Sequence, residues 1–137
     1  MNVDEAVGIV LFAHGARDPL WAAPFEAVAA RLRAQAPHAQ VRLAFLERMT
    51  PDLDTAVGEL AALGVRDVAV LPMFLAAGAH VRADLPQRID ALRARHPGLR
   101  LHLHGPVGEA PAVIDAMAAT ALRALPAAAP RSDNRRP

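Results

Sequence analysis

Three residues with metal-binding side chains recur at equal intervals along this chain of 137 residues. His14, Glu47 and His80 are separated by 33 and then 33 residues, and each follows a predicted strand and precedes a predicted helix. Two imidazoles and a carboxylate suit a divalent transition metal, with coordination positions left open for a substrate. The spacing therefore predicts three potential ligands above neighbouring strands, at one edge of a sheet.

Each of these residues has a simpler explanation when it is taken alone. A histidine after a strand often only caps a turn, and a glutamate there is commonly a solvated surface carboxylate. A period of 33 residues also suggests ankyrin repeats, but the strand content here excludes that fold. The functional interpretation depends on the joint placement of all three residues at one edge.

Arginines accompany the three candidate ligands. Arg17, Arg48 and Arg82 each lie within three residues of one of them. A guanidinium group holds a carboxylate through two parallel hydrogen bonds, so these side chains are candidates for binding a polycarboxylate substrate. Solvated loop arginines are the alternative. Two further histidines, His102 and His104, share a predicted strand face and form either a metal pair or an exposed edge.

The hydrophobic pattern alternates between strands and helices. Continuous apolar runs, and apolar residues at every second position, predict strands. Apolar residues separated by four, three and four positions predict helices, and the first of these carries Trp21, Phe25, Val28 and Leu32 on one face. We expect the third helix to begin at Asp84 and Pro86, after an irregular segment over residues 75–83. The predicted strands cover residues 7–13, 40–46, 67–74 and 99–104, and the other helices residues 19–35, 53–63 and 111–125.

This alternation predicts an α/β fold with a three-layer open sheet, mostly parallel and flanked by helices. Strands one and three are apolar throughout and should be central, whereas strands two and four alternate and should lie at the edges. The strand order 2-1-3-4 satisfies both observations and is flavodoxin-like. Its switch point lies between strands one and three, where His14 and His80 follow the strands.

Composition indicates one domain over residues 1–125 and a mobile tail over residues 126–137. The chain has no cysteine, so a metal would need His, carboxylate or backbone oxygen ligands. The net charge is only +1, and all 15 basic side chains are arginines. Nucleic-acid binding is not supported, since the only basic cluster falls in the tail. No apolar segment long enough to span a membrane and no signal peptide is evident, so we expect a cytoplasmic protein.

Three segments resemble the sirohydrochlorin cobaltochelatase/ferrochelatase family, the class II tetrapyrrole chelatases. The segment Ala13-His14-Gly15-Ala16-Arg17-Asp18-Pro19 is similar to the His-Gly-Ser-Arg-Asp-Pro signature, and Phe45-Leu46-Glu47 matches the end of strand two. The segment over residues 71–86, LPMFLAAGAHVRADLP, resembles the second, longer signature closely. The resemblance covers residues 7 to about 122.

The resemblance implies an ATP-independent lyase that inserts Co²⁺, or alternatively Fe²⁺, into sirohydrochlorin in cobalamin or sirohaem biosynthesis. The donor set of two imidazoles and a carboxylate also accepts Ni²⁺. It implies that His14 and His80 bind the metal and that Glu47 completes the set. Metalation must remove two pyrrole protons, and we expect one of the two histidines or Glu47 to accept them, because a base must lie within hydrogen-bond reach. The metal is a substrate, and no tightly bound cofactor is expected. A single unit of this size is similar to the short form of the family, which implies a homodimer with the macrocycle in a cleft.

The sequence departs from the family pattern at two places, and two other functions are possible. Ala16 replaces the usual serine, and Gly108-Glu109-Ala110-Pro111 lacks a histidine that many relatives carry before the proline; both bear on the metal preference. A non-catalytic carrier of metal or tetrapyrrole is the first alternative. A histidine phosphatase is the second, but Ala13 stands where that site needs an arginine.

Overall fold

The computed structural model describes residues 6–128 and contains a four-stranded parallel sheet in the order β2-β1-β3-β4. The strands are β1 (Val7–Ala13), β2 (Gln40–Phe45), β3 (Asp67–Pro72) and β4 (Arg100–Leu103), and the helices are α1 (Ala23–Gln35), α2 (Leu53–Ala62), α3 (Ala79–Arg95) and α4 (Pro111–Ala124). Single 3-10 turns lie at Pro19–Ala22 and Val107–Glu109. The predicted α/β class, strand order and central position of strands one and three are confirmed.

Helices cover both faces of the sheet, which gives the three predicted layers. On one face, Leu11 and Val41 pack with Ala29 of α1. On the other face, Val10 and Phe12 belong to a larger cluster to which α2 and α3 contribute buried side chains, such as Leu53 and Ile89. Because β1 is covered on both sides, its run of apolar residues is buried from Val10 to Ala13.

The predicted start of α3 is wrong. The helix begins at Ala79, after an extended Gly78, so Pro86 lies inside it and His80 lies in its first turn. A proline in a helix removes one backbone hydrogen bond. Burial of Leu85 and Ile89 against the sheet offsets that loss, because tertiary packing contributes more to helix stability than local propensity does.

The start of the first helix also differs from the prediction. Asp18 accepts a hydrogen bond from the backbone N–H of Leu20 and caps a 3-10 turn, and the α-helix follows only at Ala23. Ala29 of α1 is buried and Val28 is exposed, while Trp21, Phe25 and Leu32 are partly buried as predicted. Val28 was therefore wrongly assigned to the buried face.

Arginines close both edges of the sheet. Arg33 donates to the carbonyl of Val41 on β2 at 2.9 Å, and Arg93 donates to the carbonyl of Leu101 on β4 at 2.7 Å. Each arginine lies eight residues before its acceptor, near the end of the helix that leads into that strand. Charged side chains on outward-facing backbone groups discourage pairing with other strands.

The last helix leaves an apolar surface uncovered. α4 matches its predicted position, but none of its residues is buried, and it packs mainly on the 3-10 turn before it. On the α1 face of the sheet, Ala69 and Leu71 of β3 are only half-buried and His102 of β4 is exposed. An apolar helix and an incompletely covered part of the sheet therefore occur in the same molecule.

Within residues 6–128, no helix is long and apolar enough to cross a membrane. Residues 126–128 form no regular structure and are exposed. The rest of the predicted tail, with the arginine cluster Arg131, Arg135 and Arg136, lies outside the described residues.

Candidate active site

Backbone pairing between β1 and β2 continues beyond both strands and brings His14 beside Glu47. The N–H of Leu46 donates to the carbonyl of Ala13 at 2.9 Å, and the N–H of Glu47 donates to the carbonyl of His14 at 3.1 Å. The two residues are therefore held at the carboxyl edge by the parallel ladder itself. This is the edge at which ligands bind in open α/β sheets.

Gly15 permits this close approach. Its φ is +95°, in the left-handed region, and a Cβ atom added there would overlap the backbone carbonyl of Glu47. A glycine is needed for both reasons, because any other residue would strain the backbone and separate the two chain segments. The motif His14-Gly15 thus has a geometric role as well as a chemical one.

Glu47 lies between two basic groups. One carboxylate oxygen is 3.6 Å from Nε2 of His14, and the other is 3.4 Å from Nε of Arg48. All three side chains are about half-exposed, so they are open to a ligand from solvent. Arg48 has φ +66°, which is uncommon for a residue with a side chain and is typical of tight turns and functional sites.

The loop after β3 contributes an aromatic wall. The ring of Phe74 meets the ring of His14 edge to face, with centroids 6.2 Å apart. The N–H of Gly108 donates to the carbonyl of Phe74 at 2.9 Å, and a Cβ at Gly108 would overlap the backbone of Leu75. The turn after β4 therefore supports the loop that leads into α3.

The first turns of α3 form the far side of a cleft. Nε2 of His80 lies 2.9 Å from a carboxylate oxygen of Asp84, one turn later, and both side chains are exposed. Glu47 and His80 line the same cleft, whose volume is about 350 Å³. Its other lining residues are four apolar and two charged side chains: Phe12, Leu46, Val81, Leu85, Asp84 and Arg88.

The structure brings the three candidate ligands to one edge but does not assemble them. His14 and Glu47 are adjacent, whereas the ring of His80 pairs with Asp84. Among residues 6–128, no group of three or more histidines and carboxylates is arranged to hold a metal ion. The pair His14 and Glu47 is thus preformed, and binding through all three ligands would require the exposed side chain of His80 to turn.

The predicted arginines separate in the structure. Arg48 pairs with Glu47, and Arg17 is exposed near the end of β1. Arg82 lines a small cavity of about 130 Å³ on the β4 side of α3, together with His104. His102 instead lies 3.2 Å from Asp67, with which Arg100 also pairs, so His102 and His104 do not form a metal pair.

Sequence reasoning missed Asp84 and Arg88. Both follow His80 at helical spacing, four and eight residues later, and both line the cleft with it. The spacing was visible in the sequence, but it became meaningful only with the helix starting at Ala79.

One carboxylate near the cleft has a perturbed pKa. The pKa of Asp52 is lowered chiefly by a hydrogen bond with the side chain of Thr55, then by the backbone N–H of Thr55, which it accepts at 2.8 Å as the cap of α2, and to a smaller extent by the charge of Arg88. A carboxylate that caps a helix is stabilised in its charged form. Asp52 therefore stays ionised and orders the segment that follows Glu47.

The CbiX family profile matches residues 8–124 of the chain. This protein belongs to the CbiX family. Among solved structures, a CbiX protein from Marinobacter aquaeolei VT8 is 34% identical with a TM-score of 0.76, and the match covers 86% of this chain and 96% of that one. This agreement over nearly the whole chain confirms the family resemblance and the fold expected from the sequence.

Two further comparisons concern named chelatases. A sirohydrochlorin cobaltochelatase from Methanothermobacter thermautotrophicus is 35% identical over 85 residues, which are 62% of this CbiX-family chain and 59% of that protein. The sirohydrochlorin chelatase SirB from Bacillus subtilis, solved with cobalt, is 24% identical with a TM-score of 0.73. That match covers 86% of this chain but 50% of SirB, and at this identity it shows the shared fold alone.

Proposed function

We propose that this CbiX-family protein is a lyase that inserts a divalent metal into sirohydrochlorin without ATP. Co²⁺ is the metal we favour, with Fe²⁺ and Ni²⁺ as alternatives, and the product would feed cobalamin or sirohaem synthesis. The observation that carries the proposal is the His14–Glu47 pair, 3.6 Å apart and open to solvent at the carboxyl edge of the sheet. The name of the cobaltochelatase relative supports the choice of substrate and metal.

The reaction exchanges protons for a metal. The ion bonds to the four central nitrogens of the macrocycle, and the two pyrrole N–H protons must leave as it enters. A base within hydrogen-bond reach has to accept each proton. Glu47 is suited to this role because it is half-exposed and lies between His14 and Arg48, at 3.6 and 3.4 Å. His14 or His80 would serve as an alternative acceptor once it releases the metal.

In this proposal, His14, Glu47 and His80 hold the incoming ion as a substrate. Neutral imidazole nitrogens and a carboxylate oxygen bind Co²⁺ and Fe²⁺ and leave positions open for the nitrogens of the macrocycle. Arg17, Arg48 and Arg82 are proposed to bind carboxylates of the substrate. Their separation suggests different substrate carboxylates, with Arg48 nearest to the metal ligands and Arg82 on the β4 side of α3.

We also propose that two copies of the chain form the active protein. A cleft of about 350 Å³ is at the small end of ligand sites, which argues that a macrocycle is shared between two such clefts. The uncovered face of α4 is the proposed contact, with Met117 40% exposed and Ile114 49% exposed.

The dimer can be tested by light scattering on Met117→Asp. We expect a dimer mass for the wild type and a monomer mass for the variant, because a buried charge without a partner is strongly unfavourable. Ala119→Asp, on the opposite side of α4, is the control. A monomeric wild type would reject the dimer. The cytoplasmic location expected from the sequence is likewise a proposal, to be tested by cell fractionation.

The activity is tested by anaerobic incubation of catalytic amounts of protein with sirohydrochlorin and Co²⁺, followed through the visible spectrum. We expect metallated product in many-fold excess over protein, above the rate without protein. His14→Ala should abolish this excess. His38→Ala is the matched control, because His38 is exposed and precedes β2, at the opposite edge of the sheet.

The possible results separate the candidate functions. Product that stops near one equivalent per protein would favour the metal or tetrapyrrole carrier over an enzyme. No spectral change with Co²⁺, Fe²⁺ or Ni²⁺ would reject sirohydrochlorin as the substrate.

A further inference from the structure

The wall of the cleft on α3 carries a line of ionisable side chains. His80, Asp84 and Arg88 follow one another at intervals of four residues and all line the cleft. Residues four apart lie one above another on a helix face. The line therefore runs from a candidate metal ligand at one end to a guanidinium group at the other.

In the part of the chain that the structure describes, Arg88 forms no hydrogen bond or ion pair. Asp84 is one turn away, but its carboxylate is taken by His80 at 2.9 Å. Asp52 lies close enough for the charge of Arg88 to influence it, but its carboxylate caps Thr55 and forms no ion pair with Arg88. Arg88 is exposed and lines the cleft, so its five N–H donors are available to a ligand.

Apart from Glu47, the other residues that line the cleft are apolar. Phe12, Leu46, Val81 and Leu85 line the same cleft. A surface of this kind suits the flat face of a tetrapyrrole, and an arginine at its end suits a carboxylate arm at the rim of the ring. Eight residues of helix separate His80 from Arg88, a rise of about 12 Å. With the centre of the ring facing His80, a residue this far along the helix would meet an arm of the macrocycle and not its central nitrogens.

We propose that Arg88 is a specificity-determining residue that binds a peripheral carboxylate of the tetrapyrrole while its centre faces His14, Glu47 and His80. The inference rests on the proposed function. It adds a residue that is not next to any candidate ligand in the sequence and that shares a cleft with two of them. Arg88 acts in binding and orienting the macrocycle, and takes no part in proton transfer or metal binding.

The test measures binding of metal-free sirohydrochlorin and of Co²⁺ separately, by fluorescence and by calorimetry. In Arg88→Ala, we expect the dissociation constant for sirohydrochlorin to rise about tenfold, the loss typical of one charge-assisted hydrogen bond. Affinity for Co²⁺ should not change. Arg88→Lys should recover part of the loss, because the charge returns without the paired donors. Arg31→Ala is the control, since Arg31 is an exposed arginine on α1, across the sheet.

A macrocycle without charged groups distinguishes loss of carboxylate binding from a general disturbance of the cleft. The esterified macrocycle, which has no carboxylates, should bind wild type and Arg88→Ala equally. If Arg88→Ala binds sirohydrochlorin as tightly as Arg31→Ala while the wild type turns over, the role of Arg88 is rejected and the proposed function stands. If the wild type neither binds nor metallates sirohydrochlorin, the proposed function and the role of Arg88 are both rejected.

Discussion

The α-carbon of Gly15 lies directly against the backbone carbonyl of Glu47, so closely that no side chain fits between them. We predict that Gly15→Ala abolishes chelatase activity and lowers the free energy of unfolding by about 3 kcal/mol. The left-handed φ of +95° accounts for part of the cost, and the overlap with the backbone for the rest. Chemical denaturation and the Co²⁺ assay measure the two effects.

Gly64→Ala is the matched control for that variant. Gly64 also has a positive φ, +83°, but a Cβ there meets nothing within 4 Å. Gly64→Ala should therefore lower the free energy of unfolding only by the cost of the left-handed backbone, about 1–2 kcal/mol, and should retain activity. Equal effects of the two substitutions on stability and activity would show that the contact between Gly15 and Glu47 is unimportant.

Gly108 supports the loop that leads to His80. Gly108→Ala would push against the backbone of Leu75 and shift that loop, so we predict a loss of about 1–3 kcal/mol in stability together with reduced turnover. Gly98→Ala, where a Cβ meets nothing within 4 Å, is the control. Full activity in Gly108→Ala would mean that the position of this loop does not limit the reaction.

Asp84 holds the ring of His80 through a contact of 2.9 Å between exposed side chains. Such a surface pair contributes little to stability, about 0.5 kcal/mol or less. His80 must leave this partner to join His14 and Glu47 on a metal ion, so we predict that Asp84→Asn raises Co²⁺ affinity by up to about twofold, the equivalent of that pair energy, with little change in thermal stability.

Asp90→Asn is the control for this effect, since Asp90 forms a comparable exposed pair with Arg93 on the same helix. Calorimetric titration with Co²⁺ compares the variants. Unchanged Co²⁺ affinity in Asp84→Asn would show that the pair between Asp84 and His80 has no effect on metal binding.

Asp67 makes stability depend on pH. The guanidinium of Arg100, and then the ring of His102, hold the pKa of this carboxyl well below its ordinary value of 3.8. The folded protein therefore binds the proton less readily than the unfolded chain. The resulting stabilisation is complete above pH 3.8 and is lost as the pH falls toward the lower folded pKa.

We predict that Asp67→Asn lowers the melting temperature near neutral pH. The difference in melting temperature between wild type and variant should become smaller below about pH 3. Thermal unfolding followed by circular dichroism measures this. Asp115→Asn, on the exposed face of α4, should show no such gap. A gap that stays constant across the acid range would show that the charge of Asp67 is not responsible.

The local sequence pattern was sufficient to predict most of the strands and helices and their order in the sheet. The apolar runs of β1 and β3 predicted central strands, and Asp52 predicted the start of α2. The alternation of strands and helices predicted the sheet order and so the edge at which His14 and Glu47 meet. These features depend on short-range periodicity and on the few topologies that parallel sheets allow.

Tertiary contacts decided the rest. Pro86 is typical of a first helical turn, but α3 begins at Ala79, and Val81 of the added segment packs against the core one turn before Leu85. That extension makes Asp84 the partner of His80 and puts Arg88 in the cleft. Arg82, only two residues from His80, lies on the β4 side instead.

The sequence by itself determined which residues reach the carboxyl edge, because strand order and connection lengths follow from local pattern. Only the tertiary structure decided which of them touch. Gly15 against Glu47, and Gly108 against Leu75, are contacts between segments far apart in the chain. Such contacts arise from the packing of whole elements, and distances of a few ångströms between side chains cannot be obtained from the spacing of residues along the chain.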